Sequence, residues 1–230
     1  MQNESKTPVI DGHAHIGPRE IGSEYSYMSD GYSAEKLIES MDRNGIDIAT
    51  VWAMRQGDDY SKANEYIVRA YKNYPNRLVP FIRLNPWLEN SVASLERAVD
   101  HHEAKGLKLH PADENFDPDE SIVHPLLERA EKARLPVAFH TGSNARPTLV
   151  GDVADRFPRV KMILLHLGGQ LYQDCMFVAR KCDNIYLETA QCPYVNRIAN
   201  LILEKVGPDR LIWGSDIPYS WHEIEKVKVD

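Results

Sequence analysis

The sequence is poor in cysteine and lacks long apolar runs, and these absences exclude several classes of protein. Cys175, Cys182 and Cys192 are its only cysteines, with no Cys-x-x-Cys pair among them. Such a set argues against a disulfide framework and against a cysteine-based structural zinc site. No apolar run approaches the ~18 residues that cross a membrane. The polar start "MQNESKTP" lacks the apolar core of a secretory signal. We therefore expect a cytoplasmic protein without a membrane partner.

Acidic residues outnumber basic residues, and no segment of the chain is rich in lysine and arginine. The chain has 27 lysines and arginines against 34 aspartates and glutamates, for a formal net charge of −7. This balance argues against a nucleic-acid partner, whose phosphates would call for a basic surface. No Gly-x-Gly-x-x-Gly follows the first apolar run, so a dinucleotide-binding fold has no support. The apolar fraction of 43% suffices for a sizeable core, and we expect one domain over 1–230.

Short apolar runs alternate with helical patterns along the whole chain. Each run is rich in Val, Ile and Leu and is bounded by Gly, Pro, Asn or Asp, which is typical of strands. The eight runs are VIDGHAHI, IDIATVWA, RLVPFIRL, GLKLHP, LPVAFHTG, VKMILLHLGG, NIYLETA and RLIWGSDIP. Among the helices between them, one starts at a Ser33 cap and stops at Gly45, and another runs from Ser91 to Gly106.

Eight strands that alternate with helices predict parallel strands and an α/β fold. An open doubly wound sheet uses the same alternation, but the count of eight favours a closed (β/α)8 TIM barrel. Only YSWHEIEKVKVD follows the eighth strand, which predicts a truncated or missing last helix. The seam between the last and first strands would then be exposed or packed by another subunit. A homo-oligomer is therefore a hypothesis.

Polar residues concentrate where the predicted strands end. In VIDGHAHIG, the residues Asp11, His13 and His15 share one face of the strand because side chains alternate. Later strands end in further polar side chains, namely Lys108, His110, His140, His166 and Asp216. Taken singly, each has a plain alternative: a satisfied core histidine, a turn aspartate or an ion-paired lysine. Parallel winding would bring them all to one rim, and that convergence indicates a site.

Three imidazoles and one carboxylate form a donor set that suits a divalent transition metal. Zn²⁺ is the first choice, with Mn²⁺, Fe²⁺ and Co²⁺ as alternatives. A water on such an ion has its pKa lowered to about 7, which makes hydroxide available for hydrolysis.

Arginines near the same rim indicate a small anionic substrate. Arg55 follows the second strand, Arg83 ends the third and Arg146 follows the fifth. Bidentate contacts from these side chains would suit a carboxylated substrate. The alternative for each arginine is an ion pair with a nearby acidic residue. The long loop at 18–32, with Arg19, would serve as a lid.

The segments DGHAHIG, GLKLHP, VAFHTG, LLHLGG and LIWGSDIP together resemble the amidohydrolase superfamily. Within it, the sequence is similar to the amidohydrolase-2 branch, which includes aminocarboxymuconate-semialdehyde decarboxylase-like proteins. The resemblance implies one metal ion held by His13, His15, His140 and Asp216. It implies that His166 lies just beyond the metal, either as an acid or base or as a group that orients water and polarises the substrate. It also implies that Asp216 accepts a proton from the metal-bound water. Lys108 and His110 would line the site, although a carboxylated Lys108 bridging two metals is a minority alternative.

The same ligands serve more than one reaction in this branch, so the reaction is not determined by them. We expect a metal-dependent hydrolase of an amide, ester or lactone, on the breadth of the family alone. The first alternative is a metal-dependent non-oxidative decarboxylase. A barrel that binds a metal or ligand without turnover is the third option, which retention of every expected ligand makes the weakest.

Overall fold

In the computed structural model, the described residues are 7–18, 31–55, 57–142, 145–193, 200 and 202–228. They contain an eight-stranded parallel sheet in which the strands neighbour one another in chain order. The strands are β1 (Ile10–Ile16), β2 (Ile48–Ala53), β3 (Leu78–Arg83), β4 (Gly106–Leu109), β5 (Val137–Phe139), β6 (Met162–Leu164), β7 (Ile185–Glu188) and β8 (Leu211–Ile212). This order and the helices between the strands confirm the predicted TIM barrel.

Helices connect the strands on the outside of the barrel. They are α1 (Ala34–Asn44), α2 (Ser61–Asn73), α3 (Ser91–Asp100), α4 (Pro111–Glu114), α5 (His124–Ala133), α6 (Pro147–Arg156), α7 (Tyr172–Lys181) and α8 (His222–Lys226). Helical backbone also covers 202–205. Among the helices described, none combines the length and apolar character that a membrane crossing requires.

The ends of α1 follow the predicted signals, whereas α3 ends early. The Ser33 side chain accepts a hydrogen bond from the Lys36 amide, and Gly45 ends α1 with a left-handed φ of 66°. The predicted continuation of α3 to Gly106 is wrong. The helix stops at Asp100, because His102 turns the chain with a φ of 57° and Gly106 already begins β4.

Backbone hydrogen bonds join the first strand to the segment that follows the eighth. The Gly12 amide donates to the Trp213 carbonyl at 2.9 Å, and the His15 amide donates to the Ile217 carbonyl at 2.7 Å. Helix α8 packs against both sides of this seam: its His222 ring donates to Asp11 of β1 at 3.0 Å, and its Glu225 carbonyl accepts from the Trp213 indole at 3.2 Å. The last helix is therefore short but present, and it covers the seam from within the same chain. The homo-oligomer stays a prediction.

A small apolar cluster inside the barrel supports the residues at its rim. Trp52, Phe81, Ala138 and Leu165 are buried and pack together. The Trp52 ring also lies 4.6 Å from the ring of His13. A close-packed floor of this kind restricts the rotamers of the side chains above it.

Gly12 is required for the close approach of β1 to β8. A Cβ atom at this position would overlap the Ile212 side chain and lie 3.0 Å from the Trp213 carbonyl oxygen. We expect Gly12→Ala to lower the free energy of unfolding by about 1–3 kcal/mol, because packed interiors resist an added carbon. Urea unfolding measures the change. In an Ile212→Ala background the same substitution should cost less, and an equal cost in both backgrounds would contradict this account.

Candidate active site

The polar strand ends enclose a cavity of about 500 Å³ at one end of the barrel. Most of the predicted site residues line it, namely His15, Arg83, Lys108, His110, His140, His166 and Asp216. His13 is fully buried directly behind this wall. The cavity is thus formed by strands that lie far apart in the sequence, as the parallel winding predicts.

Three donor atoms converge at the base of the cavity. Nε2 of His13 lies 2.8 Å from Oδ1 of Asp216, and Nε2 of His15 lies 3.1 Å from the same oxygen. The two Nε2 atoms are 3.3 Å apart. His13 donates through Nδ1 to Glu188 at 3.0 Å, which makes Nε2 of the neutral ring an acceptor, and Nε2 of His15 accepts a hydrogen bond from the Trp52 indole at 3.1 Å.

Lone pairs that face one another at these distances need a positive charge between them. A proton on His13 can supply it. Burial disfavours the charged ring, but the Asp216 and Glu188 carboxylates outweigh burial and raise the pKa of His13 to about 9. Burial lowers the pKa of His15 to about 4, so that ring is neutral at pH 7. Burial would raise the pKa of Asp216, yet the ring of His13 holds it well below its usual range.

The same atoms fit a divalent transition metal. Two imidazole nitrogens and a carboxylate oxygen are borderline donors of the type such ions prefer. Nδ1 of His15 is buried without a hydrogen-bond partner among the described residues, which is unusual in a native interior. It is the nitrogen that carries the proton when Nε2 offers its lone pair. A cation bound at Nε2 would take the place of the Trp52 N–H and fix this tautomer, and the Nδ1–H would still need an acceptor.

His166 and His140 extend the cluster toward the cavity. One ligand atom from each of His13, His166 and Asp216 lies within 4.8 Å of the others. Nδ1 of His166 donates to the Ala190 carbonyl at 3.2 Å, which leaves Nε2 as an acceptor 3.1 Å from Nδ1 of His140. The structure therefore brings His166 to the cluster and places His140 next to it. That His140 is a ligand and His166 an acid or base stays a prediction.

His110 stacks on His140, with 3.9 Å between the ring centroids. Its Nδ1 accepts a hydrogen bond from the Asp113 amide at 3.1 Å and so caps α4. Burial, with His140 second, lowers its pKa well below the usual value. His110 is thus a neutral ring in the cavity wall, next to His140.

Arg83 and Lys108 are neighbours across β3 and β4, but their charges are used differently. The Arg83 guanidinium donates to Glu114 at 2.7 Å and also contacts Asp113. Arg83 therefore follows the alternative of an internal ion pair, although it lies in the cavity wall. No carboxylate, carbonyl or hydroxyl among the described residues lies within hydrogen-bond distance of the Lys108 ammonium, which sits 4.9 Å over the Trp52 ring. Burial and then Arg83 lower the pKa of Lys108 to about 7.

The other two predicted arginines lie outside this wall as far as the chain is described. Arg55 is half-buried after β2, and Arg146 is exposed at the start of α6. The structure does not bring either into the cavity lining that the described residues form. Arg19 and most of the predicted lid, at 19–30, fall outside the described residues.

The comparisons with known proteins agree with the geometry. A sequence-family model described as amidohydrolase matches residues 10–226. The chain belongs to the amidohydrolase family. This confirms the resemblance drawn from its five strand-end motifs. No curated protein sequence matches this amidohydrolase.

Solved structures that share the fold of this amidohydrolase include decarboxylases and a hydrolase. The 5-carboxyvanillate decarboxylase of Sphingomonas paucimobilis matches with a TM-score of 0.79 and 15% identity, over 96% of this chain and 92% of that chain. The 5-carboxyvanillate decarboxylase of Novosphingobium aromaticivorans, with bound manganese and 3-methoxy-4-hydroxy-5-nitrobenzoic acid, matches with a TM-score of 0.76 and 14% identity. The match covers 98% of this chain and 91% of that chain. A probable 2-pyrone-4,6-dicarboxylic acid hydrolase of Acinetobacter baumannii, with citric acid bound, matches with a TM-score of 0.70 and 17% identity. The match covers 95% of this chain and 87% of that chain.

Glu188 is a site residue that the sequence analysis missed. It ends β7 and is fully buried, with Oε2 accepting from Nδ1 of His13 and from the His166 amide, both at 3.0 Å. Its other oxygen accepts from the Ala190 amide at 2.5 Å. Its place at a strand end was a signal of the kind that identified the histidines. Gln191 was missed as well, and its Nε2 donates to Oδ2 of Asp216 at 2.7 Å.

The raised pKa of His13 has a consequence for metal binding by this amidohydrolase. At pH 7 a metal ion must displace the proton from Nε2, so uptake of Mn²⁺ or Co²⁺ by chelator-treated protein should release about one proton per chain. Apparent affinity should rise about tenfold per pH unit up to the pKa of about 9 and level off above it. Calorimetry in two buffers with different protonation enthalpies measures the release. Uptake without protons at pH 7 would be inconsistent with this arrangement.

Glu188 should control metal affinity through His13. We expect Glu188→Ala to weaken binding of Mn²⁺ about 10- to 100-fold, because the Nδ1 hydrogen bond orients the ring and sets its tautomer. Glu188→Gln is the matched control, since its carbonyl oxygen can still accept from Nδ1 and should preserve most of the affinity. Competition with a chromogenic chelator measures both. Equal affinities in wild type and Glu188→Ala would show that the contact has no such role.

Proposed function

We propose that this amidohydrolase is a metal-dependent, non-oxidative decarboxylase of a small aromatic carboxylate. The observation that carries the proposal is the engagement of both Asp216 oxygens. Oδ1 faces His13 and His15, and Oδ2 accepts a hydrogen bond from the side-chain amide of Gln191 at 2.7 Å. Hydrolysis, the reaction expected from the sequence, requires Asp216 to accept a proton from water. Decarboxylation requires it only as a ligand, which suits an oxygen that already accepts a hydrogen bond.

The proposed cofactor is one divalent transition metal held by His13, His15 and Asp216, with His140 as the further ligand expected from the resemblance. When bound, the ion would supply the positive charge that holds and polarises the oxygen atoms of the substrate. Nitrogen and oxygen donors suit both Zn²⁺ and Mn²⁺. The manganese bound in the Novosphingobium decarboxylase favours Mn²⁺.

Lys108 is the residue that we assign to recognition of the substrate's anionic group. Its ammonium is buried in the cavity wall and has no carboxylate partner among the residues that the structure describes. A bound anion would raise its pKa from about 7 and keep the side chain charged. The cavity of about 500 Å³ falls within the size range of small-ligand sites and suits a single substituted ring.

The reaction requires a proton at the carbon that loses the carboxylate. The bond from that carbon to the carboxylate breaks, carbon dioxide leaves, and the carbon keeps the electron pair and takes up a proton. We assign delivery to Nε2 of His166, since Nδ1 is held by the Ala190 carbonyl and the ring lines the cavity. Burial lowers the pKa of His166, so the neutral ring first takes up a proton from solvent at Nε2 and then passes it to the substrate carbon.

Hydrolysis of a lactone is the second candidate. It is supported by the Acinetobacter structure, whose printed name is that of a hydrolase with the same fold. The two candidates differ in product, since decarboxylation releases carbon dioxide and hydrolysis releases an acid or an alcohol. A cytoplasmic location and a homo-oligomer stay predictions.

The test supplies Mn²⁺-loaded protein with hydroxybenzoates that carry one or two carboxylates, and with lactones and esters of similar size. We expect carbon dioxide from an aromatic carboxylate and its loss on treatment with chelator. Lys108→Met should lower kcat/KM about 10- to 100-fold, as for loss of a hydrogen bond to a charged group, with unchanged metal content. Lys105→Met, at the exposed position just before the same strand, is the control. Lactone or ester cleavage without carbon dioxide would overturn the proposal in favour of hydrolysis.

A further inference from the structure

Helix α8 holds two buried polar side chains against the loops that carry the site. His222 and Glu225 lie one turn apart and are both almost fully buried. Glu225 begins a chain of hydrogen bonds that leads to the Asp216 side chain, and His222 begins one that leads to Ser215, the residue before Asp216.

The first chain runs through Asp11. Nε2 of His222 donates to Oδ2 of Asp11 at 3.0 Å, and Nδ1 lies 2.9 Å from the Ser40 hydroxyl. Asp11 in turn accepts from the Ser215 hydroxyl at 2.6 Å and from the Ser215 amide at 2.9 Å. It also accepts from the His13 amide at 2.9 Å. One buried carboxylate therefore joins the backbone of His13 to the residue that precedes Asp216.

The second chain runs through Gln191. Oε2 of Glu225 accepts a hydrogen bond from the backbone N–H of Gln191 at 3.1 Å. The side-chain amide of Gln191 donates to Oδ2 of Asp216 at 2.7 Å. Glu225 is itself fixed by the Ser220 hydroxyl at 2.9 Å and by Lys228 at 2.7 Å. The side-chain amide of Gln191 thus depends on α8 for its position.

Asp216 needs such support because its backbone is strained. Its φ is +57°, in the left-handed region that residues with a side chain rarely adopt. Conformations of this kind persist only where the surrounding structure holds them. We infer that α8 is a positioning element for the metal centre, in which His222 and Glu225 hold the Asp216 carboxylate toward His13 and His15. The inference rests on the proposed metal site but not on the proposed reaction.

The test separates the two hydrogen bonds of His222 by matched substitutions. Gln at this position places an amide N–H near the site of Nε2 and can still reach Asp11, whereas Asn reaches only toward Ser40. We expect His222→Asn to raise the Kd for Co²⁺ about 10- to 100-fold, as for other groups that orient metal ligands. His222→Gln should restore most of the affinity. Ser40→Ala removes only the outer contact and should leave the Kd unchanged. The visible spectrum of the Co²⁺ protein reports any change in the ligand geometry.

Substitutions of Glu225 test the inference independently of the His222 variants and of their stability. Glu225→Ala should weaken Co²⁺ binding and alter its spectrum, while Glu225→Gln, whose carbonyl can accept from Gln191, should not. The melting temperature of the metal-free variants shows any general loss of stability. Equal Co²⁺ affinity in wild type, His222→Asn and Glu225→Ala, with only lower melting temperatures, would overturn the inference.

The outcomes separate this inference from the proposed function. Wild-type protein that binds no metal would overturn both. Wild-type protein that binds Co²⁺ tightly, with the predicted order of variants but no release of carbon dioxide, would support the role of α8 and contradict the decarboxylase.

Discussion

The site depends on one electrostatic constraint, which is that Nε2 of His13, Nε2 of His15 and Oδ1 of Asp216 face one another within 3.3 Å. Acceptors this close repel unless a proton or a metal ion lies between them. The surrounding contacts all maintain the arrangement. Glu188 and Trp52 set which nitrogens carry protons, and the backbone hydrogen bonds that close the barrel hold β1 against the Asp216 turn. The rigid barrel thus keeps together groups that would separate on a flexible chain.

Much of this could be predicted from the sequence because parallel winding converts position in the chain into position in space. A polar residue at the end of a buried strand lies at one rim of the barrel, so His13, His15, His166 and Asp216 could be brought together before any coordinates. The same rule applies to Glu188, which the sequence analysis overlooked although it ends β7. Gln191 and His222 could not be found this way. Their roles depend on which loop or helix lies against Asp216, and neither occupies a strand end.

Arg83 shows a different limit. Its place at the end of β3 was predicted, but its partner was left open between substrate and protein. Arg83 pairs with Glu114 and Asp113, two carboxylates of α4 that lie about 30 residues further along the chain. This long-range contact is not visible in the sequence. Similarly, the reaction could not be read from ligand types, because hydrolysis and decarboxylation use the same donors. Our proposal of decarboxylation relies on the hydrogen bond from Gln191 to Asp216, which depends on a loop conformation and not on a motif.

The pairing of Arg83 also explains why Lys108 is available to a substrate. Two cations stand side by side on β3 and β4, and burying both without partners would be costly. Two carboxylates neutralise Arg83, so its charge is satisfied within the protein. Lys108 is left with a ring face, and its pKa of about 7 reflects burial together with the repulsion of Arg83. An anion that enters the cavity would offset both the burial of the Lys108 charge and its repulsion by Arg83. It would add little stabilisation at Arg83, whose charge is already paired. Under the proposed function, the barrel would direct a negative substituent of the substrate to Lys108, and the rest of the substrate would extend from there toward the metal-binding cluster.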